Sequence, residues 1–440
     1  MDAELMITRD RELYPPATAS VARPHSLEET GLDHFFVADL LLKHLNLASN
    51  QTLHHLARQL ALPGAVLEPV VNVLRQEAKV ESRSADLSGS GVRYALTDRG
   101  RAAALDAMAR DGYCGPAPVL LADYEGLVRR QSVSKCVVTE EHIHRLFRDT
   151  VIDEGLLAQL GPAVHSGRAM FIYGPAGSGK SYITRQLVKL LDGPVYVPYA
   201  ILVGGTVISL FDPEFHHPVH GEAQDPVDLT HGHDPRYVLC HRPEVTTGGE
   251  LTLDMLDLKF DEQRKQYQAP LQLKASNGML LIDDLGRQRM SHVDLLNRWI
   301  VPMEEKRDFL NLRAGQHFAV PFDMLLIFST NLNPLELADE AFLRRIGHKV
   351  GFKTLAPEPF LRLWRQVCQT MGIEDDPEVA RYMMTELYPT QGNLLLPCHP
   401  RDLLGLVSDY CRYRGLPARL STESIRWAWQ NYFVQLDNVG

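Results

Sequence analysis

Apolar residues along the chain change their spacing several times, and each change predicts a different kind of element. Residues 1–32 carry prolines among small and charged residues, which predicts an extended arm. Three helical patterns follow: FFVADLLLKHLNLA, TLHHLARQLAL and VLEPVVNVLRQE. Two short strand-like runs around a Ser/Gly turn, KVESRSADLSGSGVRYALT, lead into a further helical pattern, DRGRAAALDAMARD.

This order of three helices, a hairpin and a further helix is the order of a winged helix-turn-helix. We therefore predict a winged-helix-like domain over residues 33–113 and a connector over residues 114–144, which begins at the turn sequence CGPAPV. Strands alternate with helices from AMFIY at 169–173 to about residue 355, which predicts an α/β fold with a mostly parallel sheet. The last 85 or so residues show four helical patterns and no strand pattern.

An irregular stretch interrupts the α/β pattern. Residues 205–250 are rich in His, Pro, Asp and Gly and are predicted to be too polar for a core, inside an insertion over about 205–278. Several histidines crowd this stretch near Cys240, and imidazoles at close spacing suit Zn²⁺. Their spacing fits no regular zinc framework, so a polar loop is the preferred interpretation. The residues concerned are His216, His217, His220, Asp225, His231, His233, Asp234 and His241.

A glycine-rich segment after the strand AMFIY carries the most specific chemistry. It matches G-x-x-x-x-G-K-[ST] completely and precedes a helical pattern, SYITRQLVKLL. Glycines let the backbone N–H groups surround a phosphate, Lys180 can reach the β- and γ-phosphates, and the Ser181 hydroxyl suits Mg²⁺. The predicted nucleotide-binding residues are Gly174, Pro175, Ala176, Gly177, Ser178, Gly179, Lys180, Ser181 and Tyr182.

A second strand supplies carboxylates. The apolar run Met279–Ile282 ends in Asp283 and Asp284. An apolar strand that ends in two acidic residues is common by itself, but here it follows a phosphate-binding loop by about 100 residues. We therefore predict that Asp283 holds Mg²⁺ and that Asp284 polarises the attacking water.

Together these motifs resemble the AAA+ superfamily of ATPases, and the resemblance covers roughly residues 145–436. The end of the strand MLLIFSTN is similar to the sensor-1 position, with Asn331 as the sensor. Arg344 and Arg345, in DEAFLRR, are similar to the arginine-finger segment, and the resemblance leaves open which of them is the finger. Arg401, in HPRD, is similar to the sensor-2 arginine of the helical lid.

The resemblance implies a P-loop AAA+ core over residues 145–355, a C-terminal α-helical lid over 356–440, Mg²⁺ and ATP as ligands, and a homo-oligomeric, hexamer-like ring. More narrowly, the layout resembles a poorly characterised bacterial group with a winged-helix front end. Asp284 departs from the superfamily because it stands where a glutamate is usual, which puts the hydrolysis rate in question. The implied catalytic residues are Lys180, Asp284, Asn331, Arg344, Arg345 and Arg401.

Composition narrows the list of partners. The net charge of −10 argues against non-specific coating of nucleic acid, and the third helical pattern, where a DNA reader would be basic, has Arg75 as its one basic residue.

Six scattered cysteines indicate a reducing compartment, and the absence of a long apolar run in the sequence indicates no membrane insertion, so a cytoplasmic location is expected. Trp299 has helical spacing with Leu295 and Leu296, which predicts a core residue.

The leading functional hypothesis is an ATP hydrolase that remodels a macromolecular partner, with an unknown protein preferred over DNA. One alternative is a DNA-directed ATPase, such as a loader or a transposition or replication helper, that docks through the winged helix. The other is a slow nucleotide-gated switch, which the shorter side chain of Asp284 motivates.

Overall fold

The computed structural model describes residues 20–83, 92–219, 233–313 and 315–433. Most of the predicted extended arm, the tip of the predicted hairpin, and His220, Asp225 and His231 lie outside these residues. The chain divides into two compact units. The first contains Met1–Val137, Leu191–Ile282 and Arg287–Leu326, and the second contains Val138–Leu190, Asp283–Gly286 and Ile327–Gly440.

Helices predominate among the described residues near both ends of the chain. In the described residues they are α1 (Leu27–Thr30), α2 (His34–Leu47), α3 (Leu53–Leu60), α4 (Gly64–Gln76), α5 (Asp98–Arg110), α6 (Leu121–Arg130), α7 (Glu140–Leu146), α8 (Glu154–Ser166), α9 (Lys180–Gln186), α10 (Leu271–Lys274), α11 (His292–Glu305), α12 (Pro334–Leu337), α13 (Glu340–Arg345), α14 (Pro357–Met371), α15 (Pro377–Tyr382), α16 (Tyr388–Gln391), α17 (His399–Arg414) and α18 (Thr422–Tyr432). A π-helical segment, Met383–Leu387, joins α15 to α16. None of these helices is long and apolar enough to cross a lipid bilayer.

Strands concentrate in the middle of the chain. In the described residues they are β1 (Gln51–Thr52), β2 (Val80–Arg83), β3 (Arg93–Leu96), β4 (Val119–Leu120), β5 (Met170–Tyr173), β6 (Val195–Pro198), β7 (Ala200–Val203), β8 (Thr206–Ser209), β9 (Tyr237–Cys240), β10 (Glu244–Thr247), β11 (Lys259–Asp261), β12 (Gln266–Gln268), β13 (Met279–Ile282), β14 (Arg307–Asn311), β15 (His317–Pro321), β16 (Leu325–Thr330) and β17 (His348–Gly351).

The first unit begins with the helices and the hairpin that the sequence predicts. Side chains cap the helices: Asp33 accepts from the N–H of Phe35 at 2.8 Å at the start of α2, and Thr97 accepts from that of Gly100 at 3.0 Å at the start of α5. Strands β1, β3 and β2 form a three-stranded antiparallel sheet. Leucines and valines of α2, α3 and α4 are buried in a common core with residues of β2 and α5. The assignment of this region as a winged-helix domain stays a prediction.

The rest of the first unit is built on strands. A mixed sheet has the order β11-β12-β8-β7-β4. Two further pairs of strands, β6 with β9 and β14 with β15, are antiparallel. Strand β10 runs parallel to β13, with Thr247 beside Ile282. Trp299 on α11 is completely buried in this unit, as its helical spacing predicts.

The prediction that residues 205–250 are too polar for a core is wrong for their described part. Strands β8, β9 and β10 lie in this stretch, and Cys240 is completely buried. Its buried charges are compensated: Arg236 donates to Asp234 at 2.7 Å and also to the carbonyl oxygens of Thr30 and Pro118. Burial of charged groups is tolerated where each has a partner, so polar composition did not exclude a core here.

The second unit contains the strand that precedes the glycine-rich loop. Strand β5 pairs in parallel with β16 on one side and with β17 on the other. Met170, Phe171 and Ile172 of β5 are buried, as is Phe328 of β16, and Phe171 stacks on Phe328 at a centroid distance of 6.2 Å. Because carboxyl ends of parallel strands share an edge, the loops after β5 and β16 emerge together.

The C-terminal helices of the second unit have their own core. Trp364 of α14, Leu403 and Leu404 of α17, and Trp429 of α18 are buried together. Helix α18 starts with a capping box, in which Ser421 and Ser424 bond each other's backbone N–H groups. Four helical stretches without strands occupy residues 357–432, as the sequence pattern predicts.

Candidate active site

The glycine-rich loop connects the end of β5 to the start of α9. Gly174, Gly177 and Gly179 have φ values of 149°, 78° and 87°, a region that other residues rarely adopt. Two of these glycines also have close neighbours. A Cβ atom on Gly174 would lie 2.4 Å from the carbonyl oxygen of Phe352, and one on Gly177 would lie 2.4 Å from the sulfur of Cys398. The loop conformation therefore depends on glycine for its backbone angles and for its packing.

Lys180 is the first residue of α9 and is 6% exposed. Its ammonium nitrogen lies 2.9 Å from the carbonyl oxygen of Gly174, 2.9 Å from that of Pro175 and 2.6 Å from Oδ1 of Asn331. Burial lowers the pKa of Lys180 from its usual value, and the negative charges of Asp283 and Asp284 oppose that shift. The lysine thus lies among oxygens, close to both predicted carboxylates.

Asn331 connects the lysine to the acidic strand end. Its amide nitrogen donates to Oδ1 of Asp284 at 2.7 Å, while its amide oxygen accepts from Lys180. Asp284 has a φ of 49°, and its N–H donates to Oδ1 of Asp283 at 3.1 Å. Left-handed φ values at non-glycine residues concentrate at functional sites, where surrounding contacts hold them. The three residues predicted from separate motifs are therefore joined in one hydrogen-bonded chain.

Backbone bonds fix the turn that carries the acidic residues. The N–H of Leu285 donates to the carbonyl oxygen of Ser329 at 2.8 Å, and the Thr330 hydroxyl donates to the carbonyl oxygen of Leu285 at 2.7 Å. Thr330 is completely buried. The sequence placed Thr330 in the strand end that resembles sensor 1, but it gave this residue no role of its own beside Asn331. Its hydroxyl holds the turn after Asp284 against the end of β16.

Ser181 and Asp283 are the residues predicted to hold Mg²⁺. Ser181 follows the lysine in the first turn of α9, and Asp283 follows β13; both side chains are half-buried. Mg²⁺ commonly takes one or two protein oxygens and completes its coordination with phosphates and water. A hydroxyl and a carboxylate supply oxygen ligands of the kind that Mg²⁺ takes from proteins. Among the described residues there is no cluster of three or more His, Cys, Asp or Glu side chains that could hold a metal by themselves.

Two other predicted loop residues differ in their surroundings. The Ser178 side chain is 5% exposed, and its hydroxyl has no hydrogen-bond partner among the described residues. Buried hydroxyls normally have partners, so this atom is suited to bond a ligand in the loop. Tyr182, in contrast, is 60% exposed on α9.

The two candidate finger arginines end helix α13. Asp339 caps this helix by accepting from the N–H of Phe342 at 2.7 Å, and Phe342 packs edge-on against Phe328 of β16. The Arg344 side chain is exposed, whereas Arg345 is half-buried and donates to the carbonyl oxygen of Ala341 at 2.8 Å.

The C-terminal helices contact the glycine-rich loop through a backbone hydrogen bond. The N–H of Cys398 donates to the carbonyl oxygen of Gly177 at 3.2 Å, and Cys398 is the N-cap residue of α17. Arg401 lies in the first turn of the same helix and is exposed. The neighbouring His399 is buried and lies 2.9 Å from the hydroxyl of Tyr388. Sequence reasoning identified Arg401 but missed Cys398, the residue that touches the loop.

The histidines of the first unit do not form a metal centre in the described part of the chain. His216 is buried, with Nε2 2.9 Å from the carbonyl oxygen of Lys274 and Nδ1 accepting from the N–H of Asp212 at 2.9 Å. Burial lowers the pKa of His216 to about 4. This histidine is a satisfied, neutral core residue.

Comparison with known proteins gives limited similarity. A protein-family profile described as "Domain of unknown function (DUF8689)" matches residues 356–431, the C-terminal helices. A search of curated proteins gives no match.

Solved structures are similar over about two thirds of this chain. NtrX from Brucella abortus has 12% identity and a TM-score of 0.42 over 66% of this chain and 57% of that chain. Its complex with ADP has 14% identity and a TM-score of 0.38 over 64% and 56%. The Thermotoga maritima RuvB Holliday junction branch migration motor has 13% identity and a TM-score of 0.35 over 69% and 72%. The chain thus spans less than two thirds of NtrX, and TM-scores this low do not establish a shared fold.

Proposed function

We propose that this chain is an AAA+-type ATPase that binds Mg·ATP at residues 174–181 and hydrolyses it. The observation that carries the proposal is the hydrogen-bonded chain from Lys180 through Asn331 to Asp284. Its members lie 151 and 47 residues apart in the sequence, yet all three belong to the second unit and are joined by hydrogen bonds. Phosphate binding, metal binding and water activation each need a group at one site.

The proposed roles follow from the chemistry of each side chain. The backbone of the loop and the ammonium group of Lys180 bind the phosphates, with Ser181 and Asp283 holding Mg²⁺. The metal, when bound, would neutralise negative charge on the phosphate oxygens. Asp284 polarises the attacking water, and Asn331 keeps that carboxylate oriented toward it. Phosphoryl transfer depends mainly on positioning and on charge stabilisation, which these groups supply together.

We further propose that the site is completed by a neighbouring copy of the chain in a ring. Arg344 is the better candidate for the finger, because its side chain is exposed while Arg345 is half-buried and bonded within its own helix. Arg401 is exposed at the start of α17 and is proposed to contact the nucleotide from the lid. Since Cys398 of that same helix bonds the loop at Gly177, movement of the loop would move α17.

The partner that such a ring remodels is proposed to be a protein. Support comes from charge: the chain is acidic overall, and helix α4 exposes Glu68 together with Arg75, so it lacks the basic face of a DNA reader. A winged-helix region at the front of the chain would then dock a protein rather than DNA.

Hydrolysis is tested by steady-state phosphate release from the full-length chain with Mg·ATP. We expect turnover in the wild type, loss of turnover and of binding in Lys180→Ala, and loss of turnover with retained binding in Asp284→Asn. Asp294→Asn, an exposed acid on α11, is the matched control and should be unchanged. Turnover that survives in both Lys180→Ala and Asp284→Asn would show that the activity does not come from this site. Binding without turnover in the wild type would favour the nucleotide-gated switch instead.

A further inference from the structure

The turn between α17 and α18 forms a continuous exposed stretch. All eight residues from 412 to 419, RYRGLPAR, are exposed. Tyr413, in the last turn of α17, is 89% exposed, more than any other large apolar side chain in the described part of the chain. A single exposed ring is ordinary on a protein surface, so its neighbours decide whether it belongs to a site.

An aromatic pair lies beside this ring. Tyr410 of α17 packs against Trp427 of α18 at a centroid distance of 5.1 Å, and the guanidinium group of Arg414 lies 5.9 Å from the centroid of Tyr410. The Tyr410 hydroxyl donates to Oε1 of Glu423 at 2.6 Å, which fixes the ring. Residues three and four positions apart share a helix face, so Tyr413 and Arg414 lie on the face of α17 that carries Tyr410. Tyr413, Arg414 and Trp427 therefore belong to one surface of the helix pair.

The C-terminal helices that carry this surface are locally basic. Residues 399–433 contain five arginines, three acidic residues and no lysine, whereas the net charge of the whole chain is −10. Among the residues that the structure describes, Arg412 and Arg414 form no ion pair, although Arg419 of the same turn lies 3.8 Å from Glu374. Two guanidinium groups beside the exposed ring are therefore available to bind carboxylates.

The side-chain types of this surface favour a protein partner over a nucleic acid. Tyrosine, tryptophan and arginine dominate binding energy at protein interfaces, where lysine is depleted. Single-stranded nucleic acid also binds to aromatic rings and cationic groups. Here, however, Asp409 and Glu423 are exposed on the same two helices and would repel a run of phosphates. An acidic protein segment needs fewer cations, because each guanidinium can hold a carboxylate through two hydrogen bonds.

We propose that Arg412, Tyr413, Arg414 and Trp427 form a docking surface for an acidic segment of a protein partner. Carboxylates of the segment pair with the two guanidinium groups, and an apolar side chain between them packs on the exposed ring of Tyr413. The inference deepens the proposed function and rests on it for the choice of a protein partner.

The docking surface and the glycine-rich loop contact opposite ends of one helix. The surface lies at the C-terminal end of α17, whereas Cys398 at the start of this helix bonds the loop at Gly177. The 16 residues of α17 span about 24 Å at 1.5 Å per residue. Partner docking and nucleotide binding can therefore be measured separately.

The test is the fluorescence anisotropy of a labelled copolymer of glutamate and tyrosine, titrated with the full-length chain. Tyr413→Ala removes the exposed ring, and a double variant, Arg412→Ala with Arg414→Ala, removes both guanidinium groups. We expect each to weaken binding by about 10-fold or more, as the loss of a central interface residue does. A second double variant, Arg362→Ala with Arg365→Ala, is the matched control: it removes the same charge from exposed positions on α14 and should bind like the wild type.

The outcomes separate the docking surface from its alternatives. Weaker binding by Tyr413→Ala and by the first double variant, with an unchanged control, supports the proposal. Equal weakening in the control, or full binding by Tyr413→Ala, would assign the binding to net charge alone and overturn it. Absence of copolymer binding by the wild type would also overturn it. A labelled oligothymidylate that binds the wild type more tightly than the copolymer does would overturn it in favour of a nucleic acid.

Nucleotide binding gives an independent readout on the same proteins. In calorimetric titration with Mg²⁺ and the non-hydrolysable triphosphate AMP-PNP, Tyr413→Ala should bind like the wild type. Failure of the wild type to bind AMP-PNP would overturn the proposed ATPase while the copolymer result still decides the docking surface. Failure of the copolymer test alone would leave the proposed ATPase intact. Thermal unfolding of each variant verifies that it is folded before titration.

Discussion

The contact between α17 and the glycine-rich loop at Gly177 predicts how the stability of the chain responds to substitution there. A Cβ atom at Gly177 would lie 2.4 Å from the sulfur of Cys398 and 3.5 Å from the Cβ atom of Cys398. The first distance is a severe overlap, and the second is ordinary contact. Gly179 offers an internal control, since its φ of 87° is also left-handed but no atom lies within 4 Å of a Cβ there.

The magnitudes follow from these distances. Alanine at a left-handed position lowers the free energy of unfolding by about 1–2 kcal/mol, and Gly177→Ala and Gly179→Ala should each show this decrease. Forcing an extra carbon into a packed site adds about 1–3 kcal/mol, which only Gly177→Ala should show. Replacing Cys398 with alanine removes the sulfur and leaves the 3.5 Å contact, so the double variant should lose that added cost.

The assay is urea unfolding of the full-length variants, followed by tryptophan fluorescence, to which the buried Trp364 and Trp429 of the C-terminal helices contribute. We expect Gly177→Ala to be less stable than Gly179→Ala by about 1–3 kcal/mol, and Cys398→Ala to remove this difference. Equal losses in the two glycine variants, or no rescue by Cys398→Ala, would refute the packing of α17 against the loop.

Two further predictions concern other parts of the chain. Burial lowers the pKa of His216 from the usual 6.5 to about 4. Between these two values the imidazole is protonated in the unfolded chain but not in the folded one, so the free energy of unfolding decreases as the pH falls through this range. Between pH 7.5 and pH 5 this group lowers the free energy of unfolding by about 2 kcal/mol. In urea unfolding, His216→Gln should therefore show a smaller dependence of stability on pH than the wild type. Arg344→Ala should keep AMP-PNP binding but lose turnover by about 10³-fold, unlike the exposed control Arg365→Ala. Mixing Arg344→Ala with Lys180→Ala should restore part of the turnover if the finger acts on a neighbouring copy, and no recovery would contradict that role.

Local signals were sufficient to predict the central strands. The apolar runs of β5, β13 and β16 are buried and follow the predicted bounds closely, because short apolar runs bounded by glycine or polar residues have few alternatives to a buried strand. The glycine-rich motif can be recognised directly in the sequence, because its proposed chemistry requires glycines and a lysine at set positions.

Contacts between distant residues could not be read from the same signals. The Cys398 contact with Gly177 and the Lys180 bond to Asn331 depend on how strands and helices pack, and no local pattern specifies either pair. The prediction from the polar composition of residues 205–250 was wrong for a related reason. Composition counts Asp234 and Arg236 as two polar residues, whereas in the fold they neutralise each other and are buried together.

The central claim is that residues 174–181 form a triphosphate site whose charge comes from Lys180. Direct calorimetric titration of Mg·AMP-PNP into the wild type and Lys180→Ala tests it with the fewest assumptions. We expect saturable binding of one nucleotide per wild-type chain, weakened about 100-fold when the ammonium group is removed. Absence of binding to the folded wild type, or equal binding by Lys180→Ala, would contradict the account.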